Sequence, residues 1–187
     1  MNHFLDLSFS LLTSPQQALR YITGEERMKE GFFLWLFVIF LMSLSLFNGG
    51  PGIVVQFLIL LLCMGAMLIL HSAVIDYISG MFGGMGTARG ITAGFMASTV
   101  PFAFSVLFTF LDSLGASFFS GIGSFVIFLW SFYLDVVSIS ENYRFHKGKA
   151  FLIAITPCVA AIIFFIVMAA VGVMTAVEGL ANMQDVQ

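Results

Sequence analysis

Five long, nearly continuous apolar runs follow one another along this chain, and most polar positions fall between them. The runs cover Gly31–Phe47, Ile53–Ile78, Ile91–Leu111, Ser117–Ser140 and Ala150–Ala176. At about 1.5 Å per residue each can cross roughly 30 Å of hydrocarbon, some with tilt. Hydrocarbon offers no partner to backbone N–H and C=O groups, so each run predicts a helix. The expected fold is an all-α membrane protein: a single domain of five transmembrane helices over residues 31–176. Before it, residues 1–30 form an N-terminal segment in which Ser14-Pro15 reads as a helix start and Gly24 as its stop. With Ala18, Leu19 and Ile22 on one side, this is expected to be a short amphipathic helix in the membrane interface. Residues 177–187 are expected to form a tail outside the cytoplasm.

The connectors fix an orientation. FNGGPG (Phe47–Gly52) and DSLGA (Asp112–Ala116) contain no Lys or Arg, whereas Gly80–Gly90 contains Arg89 and Glu141–Lys149 contains Arg144, Lys147 and Lys149. Arg20, Arg27 and Lys29 precede the first run. With five spans, all seven basic residues fall on one side. The positive-inside rule makes that side cytoplasmic, with the N-terminus inside and the C-terminus outside.

Composition leaves no soluble alternative. Of 187 residues, 60% are hydrophobic and 9% charged, with a mean hydropathy of +1.05. A soluble domain carries about 25% charged residues. A net charge of −3 and the lack of a long basic run argue against a nucleic-acid partner. Cys63 and Cys158 sit inside apolar runs at no metal-knuckle spacing and read as packing residues. No HExxH, G-x-S-x-G or CxxC motif is present, and GMFGGMG has neither a preceding strand nor a Walker lysine. The chain is therefore read as non-enzymatic and without a cofactor.

Within the apolar runs, the polar residues are the informative ones. His71, Ser72, Asp76 and Ser79 would share one side of the second span. Asp135 shares one face of the fourth with Ser117, Ser120, Ser124, Ser131, Ser138 and Asn142. A carboxylate facing lipid costs about 2.5–3.5 kcal/mol at mid-membrane, so these residues should face the bundle interior or water. Three readings remain: interhelical packing with the aspartates near the interface; a hydrated path for an ion, proton or solute lined by His71, Asp76 and Asp135; and a metal site from the same three. Gly86, Gly90, Gly94 and Ser98 recur every four residues and form a small-residue ridge, which lets another helix approach within the chain or in a homodimer. Pro101 and Pro157 are expected to kink the third and fifth spans, freeing the carbonyls of Ala97 and Ile153.

SPQQALRYI (Ser14–Ile22), ISGMFGGMGTARGITAGFMASTVP (Ile78–Pro101), Trp130 and GKAFLIAITP (Gly148–Pro157) occur in an order that resembles the YIP (Ypt-interacting protein domain) family. The resemblance covers most of the chain and implies five spans with a cytoplasmic N-terminus. Eukaryotic relatives act with small Rab-type GTPases in vesicle traffic. The long hydrophilic N-terminal region of those relatives is missing here, which counts against GTPase binding. The short form suggests a multi-pass protein of a bacterial inner membrane. It brings no catalytic residues to transfer. The expected role is a membrane adaptor or organiser acting through helix–helix association, with the lipid bilayer and other copies or membrane proteins as partners. The alternative is a small transporter or channel using His71, Asp76 and Asp135.

Overall fold

A computed structural model describes the backbone of residues 2–45 and 52–184, and the side chains of residues 6–45 and 52–169. The connector Phe47–Gly52, apart from Gly52, and residues 185–187 of the expected tail lie outside the described residues. Among the described residues the structure is helical, without strands. The helices are α1 (Asn2–Thr13), α2 (Pro15–Gly24), α3 (Met28–Ser45), α4 (Ile53–Met81), α5 (Ala88–Ser98), α6 (Ser105–Ser113), α7 (Ser117–Tyr143) and α8 (Lys147–Gln184), with a 3-10 turn at Val100–Phe104 between α5 and α6. Five segments are long and apolar enough to cross a membrane: Met28–Ser45, Ile53–Met81, Ala88–Ser113, Ser117–Tyr143 and Lys147–Ala169. They fall on the five runs read from the sequence.

Met1–Ala154 is one compact unit and Ile155–Gln187 a second, carried by the continuing helix α8. Within the first unit, α5 is the centre and packs against α2, α3, α4 and α7. It contributes to three apolar clusters. Ala93, Ala97 and the following Val100 join Leu7, Leu11, Leu19, Ile22, Leu34, Leu134 and Val137. Ile91 and Phe95 join Ile75, Val136, Ile139, Tyr143, Ala150 and Ile153. Met96 joins Trp35 and Ile39. The small residues of α5 permit this: a Cβ on Gly31 of α3 would stand 2.8 Å from the Ala93 carbonyl oxygen.

The first thirty residues hold two helices where the sequence suggested one. α2 is amphipathic, with Ala18, Leu19, Ile22 and Thr23 buried and Gln16, Gln17 and Arg20 exposed. Its apolar side lies against α5 and α7, and α1 adds Leu7 and Leu11 to the same cluster. Removing a leucine or isoleucine such as Leu19 or Ile22 from water is worth about 1.5–3 kcal/mol each. That is enough to draw α2 into the bundle's core cluster. Pro15 takes the first position of α2 as expected, but Ser14 makes no side-chain cap. Its N–H instead donates to Ser10 O at 2.7 Å, extending the last turn of α1. Gly24 is the last residue of α2, yet the left-handed position that closes the helix is taken by Glu26 (φ 49°), with Arg27 N–H donating to Ile22 O.

Pro101 does more than kink the third span. The helix stops at Ser98, and the chain passes through the 3-10 turn before α6 begins. Proline has no N–H to continue the i→i−4 ladder, and the turn closes by the shorter bond from Phe102 N–H to Thr99 O at 2.9 Å. Pro157, in contrast, lies inside the unbroken helix α8. α8 also runs through positions 177–184 of the expected tail.

Candidate functional site

The polar residues of the second and fourth spans meet different partners. Asp76 Oδ1 accepts a hydrogen bond from the Tyr143 hydroxyl at 2.6 Å, which ties α4 to the end of α7. His71, one and a half turns away on α4, stacks on Phe95 of α5 with ring centroids 4.7 Å apart. Asp135 of α7 is half-buried beside the Ser98 hydroxyl. The three residues proposed from the sequence to share a path are each engaged in a separate setting. Among the described residues no three His, Cys, Asp or Glu side chains are grouped as a metal ion would require.

Asp135 belongs instead to a polar seam between α5 and α7. Ser98 Oγ and Ser138 Oγ pair at 3.1 Å, and Ser98 Oγ also reaches Gly94 O at 3.0 Å. Ser131 Oγ donates to Ser98 O at 2.7 Å, where the broken helix leaves a carbonyl without an intrahelical donor. One turn nearer the polar end, Asn142 Nδ2 donates to Thr87 O at 3.0 Å. Thr87 Oγ1 in turn caps α5 by accepting from Gly90 N–H. Ser131, Ser138 and Asn142 are buried, whereas Ser117 and Ser124 at the far end of the same helix face are exposed. The stripe read from the sequence is therefore a seam over half its length. It ends where α5 ends, and Gly123 is covered by the Phe108 ring of α6.

The glycine ridge lies in this seam, inside the chain. A Cβ on Gly86 would stand 2.5 Å from the Asn142 side-chain nitrogen, and one on Gly90 would fall on Asn142 Oδ1. At Gly94 it would be 2.8 Å from Thr23 Cγ2 and 3.0 Å from Ser138 Cβ. The ridge is thus the slot in which α5 lies between α2 and α7. Gly90, Gly94 and Ser98 are buried and not available as a homodimer face.

A second feature has no direct signal in the sequence. At the polar end of the bundle, the end of α2, the α4–α5 turn, the end of α7 and the start of α8 enclose an open groove of about 790 Å³. Arg20, Glu26, Glu141, Arg144, His146 and Lys147 bring charge or basicity to its walls. Glu141 accepts from Gln16 Nε2 at 2.8 Å. The only non-glycine residues with left-handed backbone among those described, Glu26 (φ 49°) and Arg144 (φ 56°), both line it. α7 closes as α2 does: Arg144 takes the position where glycine is usual, and Phe145 N–H donates to Ser140 O at 3.0 Å. A left-handed non-glycine residue costs about 1–3 kcal/mol, a cost borne twice at one groove. Beside Phe145, Lys149 lies 4.2 Å from the ring centre and donates from Nζ to Phe82 O at 2.8 Å.

The α5 side of the seam and part of the groove lie in two of the segments that carried the family resemblance, Ser14–Ile22 and Ile78–Pro101, and a family model matches across both features. The model described as the Yip1 domain covers residues 9–169. The chain belongs to the Yip1 domain family. No curated protein and no solved structure matches it. The Yip1 domain here takes in α2, the five membrane-length segments, the seam and the whole groove, leaving only the start of α1 and the later part of α8 outside the match.

Proposed function

We propose that this integral, multi-pass Yip1-domain protein is a non-catalytic adaptor or organiser in a bacterial inner membrane, acting by lateral association of helices. The observation that carries the reading is the state of α4. Only 6% of its most apolar stretch is buried within the chain, against 44% for α7. Ser72, Ile75 and Ser79, all near one end, are its buried residues. Phe57, Leu60, Leu61, Met64 and Leu68 are partly buried against α3, and the opposite face, with Val55, Ile59 and Leu62, is left for lipid or a second helix. The bonds Tyr143–Asp76, Ser98–Ser138 and Ser131–Ser98, all made between helices within the chain, support packing over transport.

The seven basic residues support an N-terminus in the cytoplasm, and three of them, Arg20, Arg144 and Lys147, line the same groove. The exposed Cys63 on α4 provides the test. In membranes of the Cys158→Ser variant, mild oxidation is expected to join copies through Cys63, and a reporter fused to the C-terminus should be active outside the cytoplasm. Absence of the crosslink, together with a solute or proton flux in proteoliposomes that Asp76→Asn abolishes, would replace the adaptor reading with transport.

A further inference from the structure

We infer that the groove at the polar end of the bundle binds the phosphate of a ligand at the membrane surface, with a lipid headgroup as its natural source. The inference is independent of the adaptor reading. It starts from the disposition of the seven Lys and Arg residues. Arg27 is held by Glu25 and Glu30, and Lys149 by the Phe82 carbonyl. The side chains of Lys29, Arg89, Arg20, Arg144 and Lys147 have no ion-pair or hydrogen-bond partner among the described residues, and the last three of these all line the groove.

Unpaired cations that line one groove repel one another and focus their field into the space between them. Two carboxylates, Glu26 and Glu141, also line the groove, so with His146 neutral its lining carries three positive and two negative charges, a net of +1. Glu141 is already engaged by Gln16. An anion between the cations would relieve their repulsion. Arginine favours phosphate in particular, because its planar fork can make two parallel bonds to phosphate oxygens. The volume of about 790 Å³ suits a small-molecule site, which typically spans about 300–1,000 Å³.

Position selects the source. The lining comes from the ends of α2 and α7, the start of α8 and the turn between α4 and α5, the level at which membrane-length helices leave the hydrocarbon. Lipid phosphates lie at that level. Arg144 is also set by its backbone: it occupies a left-handed position at the close of α7, which fixes where its side chain departs.

Binding of short-chain phosphatidate, short-chain phosphatidylcholine and inorganic phosphate to the purified full-length chain in detergent, measured by calorimetry and native mass spectrometry, tests the inference. Saturable phosphatidate binding is expected, weakened at least tenfold in the Arg20→Gln/Arg144→Gly variant and unchanged in Lys29→Gln/Arg89→Gln. Glycine at 144 suits the left-handed backbone, so that substitution removes the charge without straining the turn, and Arg144→Lys should retain part of the affinity. Phosphate binding as tightly as phosphatidate would keep the site and assign it to a soluble phosphate compound. No saturable binding of either, or an equal loss in the Lys29/Arg89 variant, would overturn the inference.

Discussion

Gly90→Ala is the sharpest perturbation of the seam. The new methyl group would fall on Asn142 Oδ1 and stand 2.7 Å from the Thr23 carbonyl oxygen, with backbone on one side and a buried amide on the other. Overpacking of this kind costs about 1–3 kcal/mol. Displacing Asn142 breaks its bond to Thr87 O, for another 0.5–1.5 kcal/mol or so. Alanine returns about 0.5–1 kcal/mol over glycine within a helix. The sum is a net loss of about 0.5–4 kcal/mol, centred near 2. Gly121→Ala is the control: nothing lies within 4 Å of its Cβ position, so only the helical gain should remain. Equilibrium unfolding in mixed SDS micelles, followed by the fluorescence of buried Trp35, reads both. Opposite signs are expected. A Gly90→Ala protein as stable as wild type, or a Gly121→Ala protein destabilised to the same extent, would refute the packing of α5 against α2 and α7.

The same assay tests three further contacts. Tyr143→Phe should cost about 1–3 kcal/mol by leaving the Asp76 carboxylate without its donor, and Asp76→Asn, which keeps an acceptor oxygen, should cost less; the reverse order would count against the bond. A double-mutant cycle of Ser98→Ala and Ser138→Ala should give a coupling of about 0.6 kcal/mol, the typical value for interhelical polar pairs in membranes, and zero coupling would remove the seam's central link. Arg144→Gly should stabilise the protein by about 1 kcal/mol through relief of its left-handed backbone, and a lower stability would mean that the guanidinium holds the loop together.

The five spans were legible because each is a long, nearly continuous apolar run, a signal that survives any arrangement of the helices. The ridge from Gly86 to Ser98 was legible as a place of close approach for a similar reason, since small residues every four positions can only form a slot. What fills the slot was not legible. Thr23, Ser138 and Asn142 lie far from it in sequence, and nothing local marks Thr23 as the residue lying over Gly94. The grouping of His71, Asp76 and Asp135 was suggested by helix faces alone. Faces say which side chains look the same way along one helix, whereas Phe95 and Tyr143, supplied by other helices, decide what each one meets. The groove was hardest to see because it is assembled from four segments, and its left-handed residues are a glutamate and an arginine where glycine would have announced the turn.

The break in the third span has a consequence for how the protein is made. Where the ladder of α5 stops, the Ser98 carbonyl takes its hydrogen from Ser131, a residue of the following span. Until α7 is in place, a translocon holding α5 and α6 alone would hold a span with an unmet backbone acceptor and the lower mean hydropathy of 1.7, against 2.9 for α4. The short link Leu114–Ala116 allows α7 to follow directly. Spans three and four should therefore enter the bilayer as one hairpin, and a nascent chain cut before Ser131 should leave its third span poorly inserted while the second is already secure.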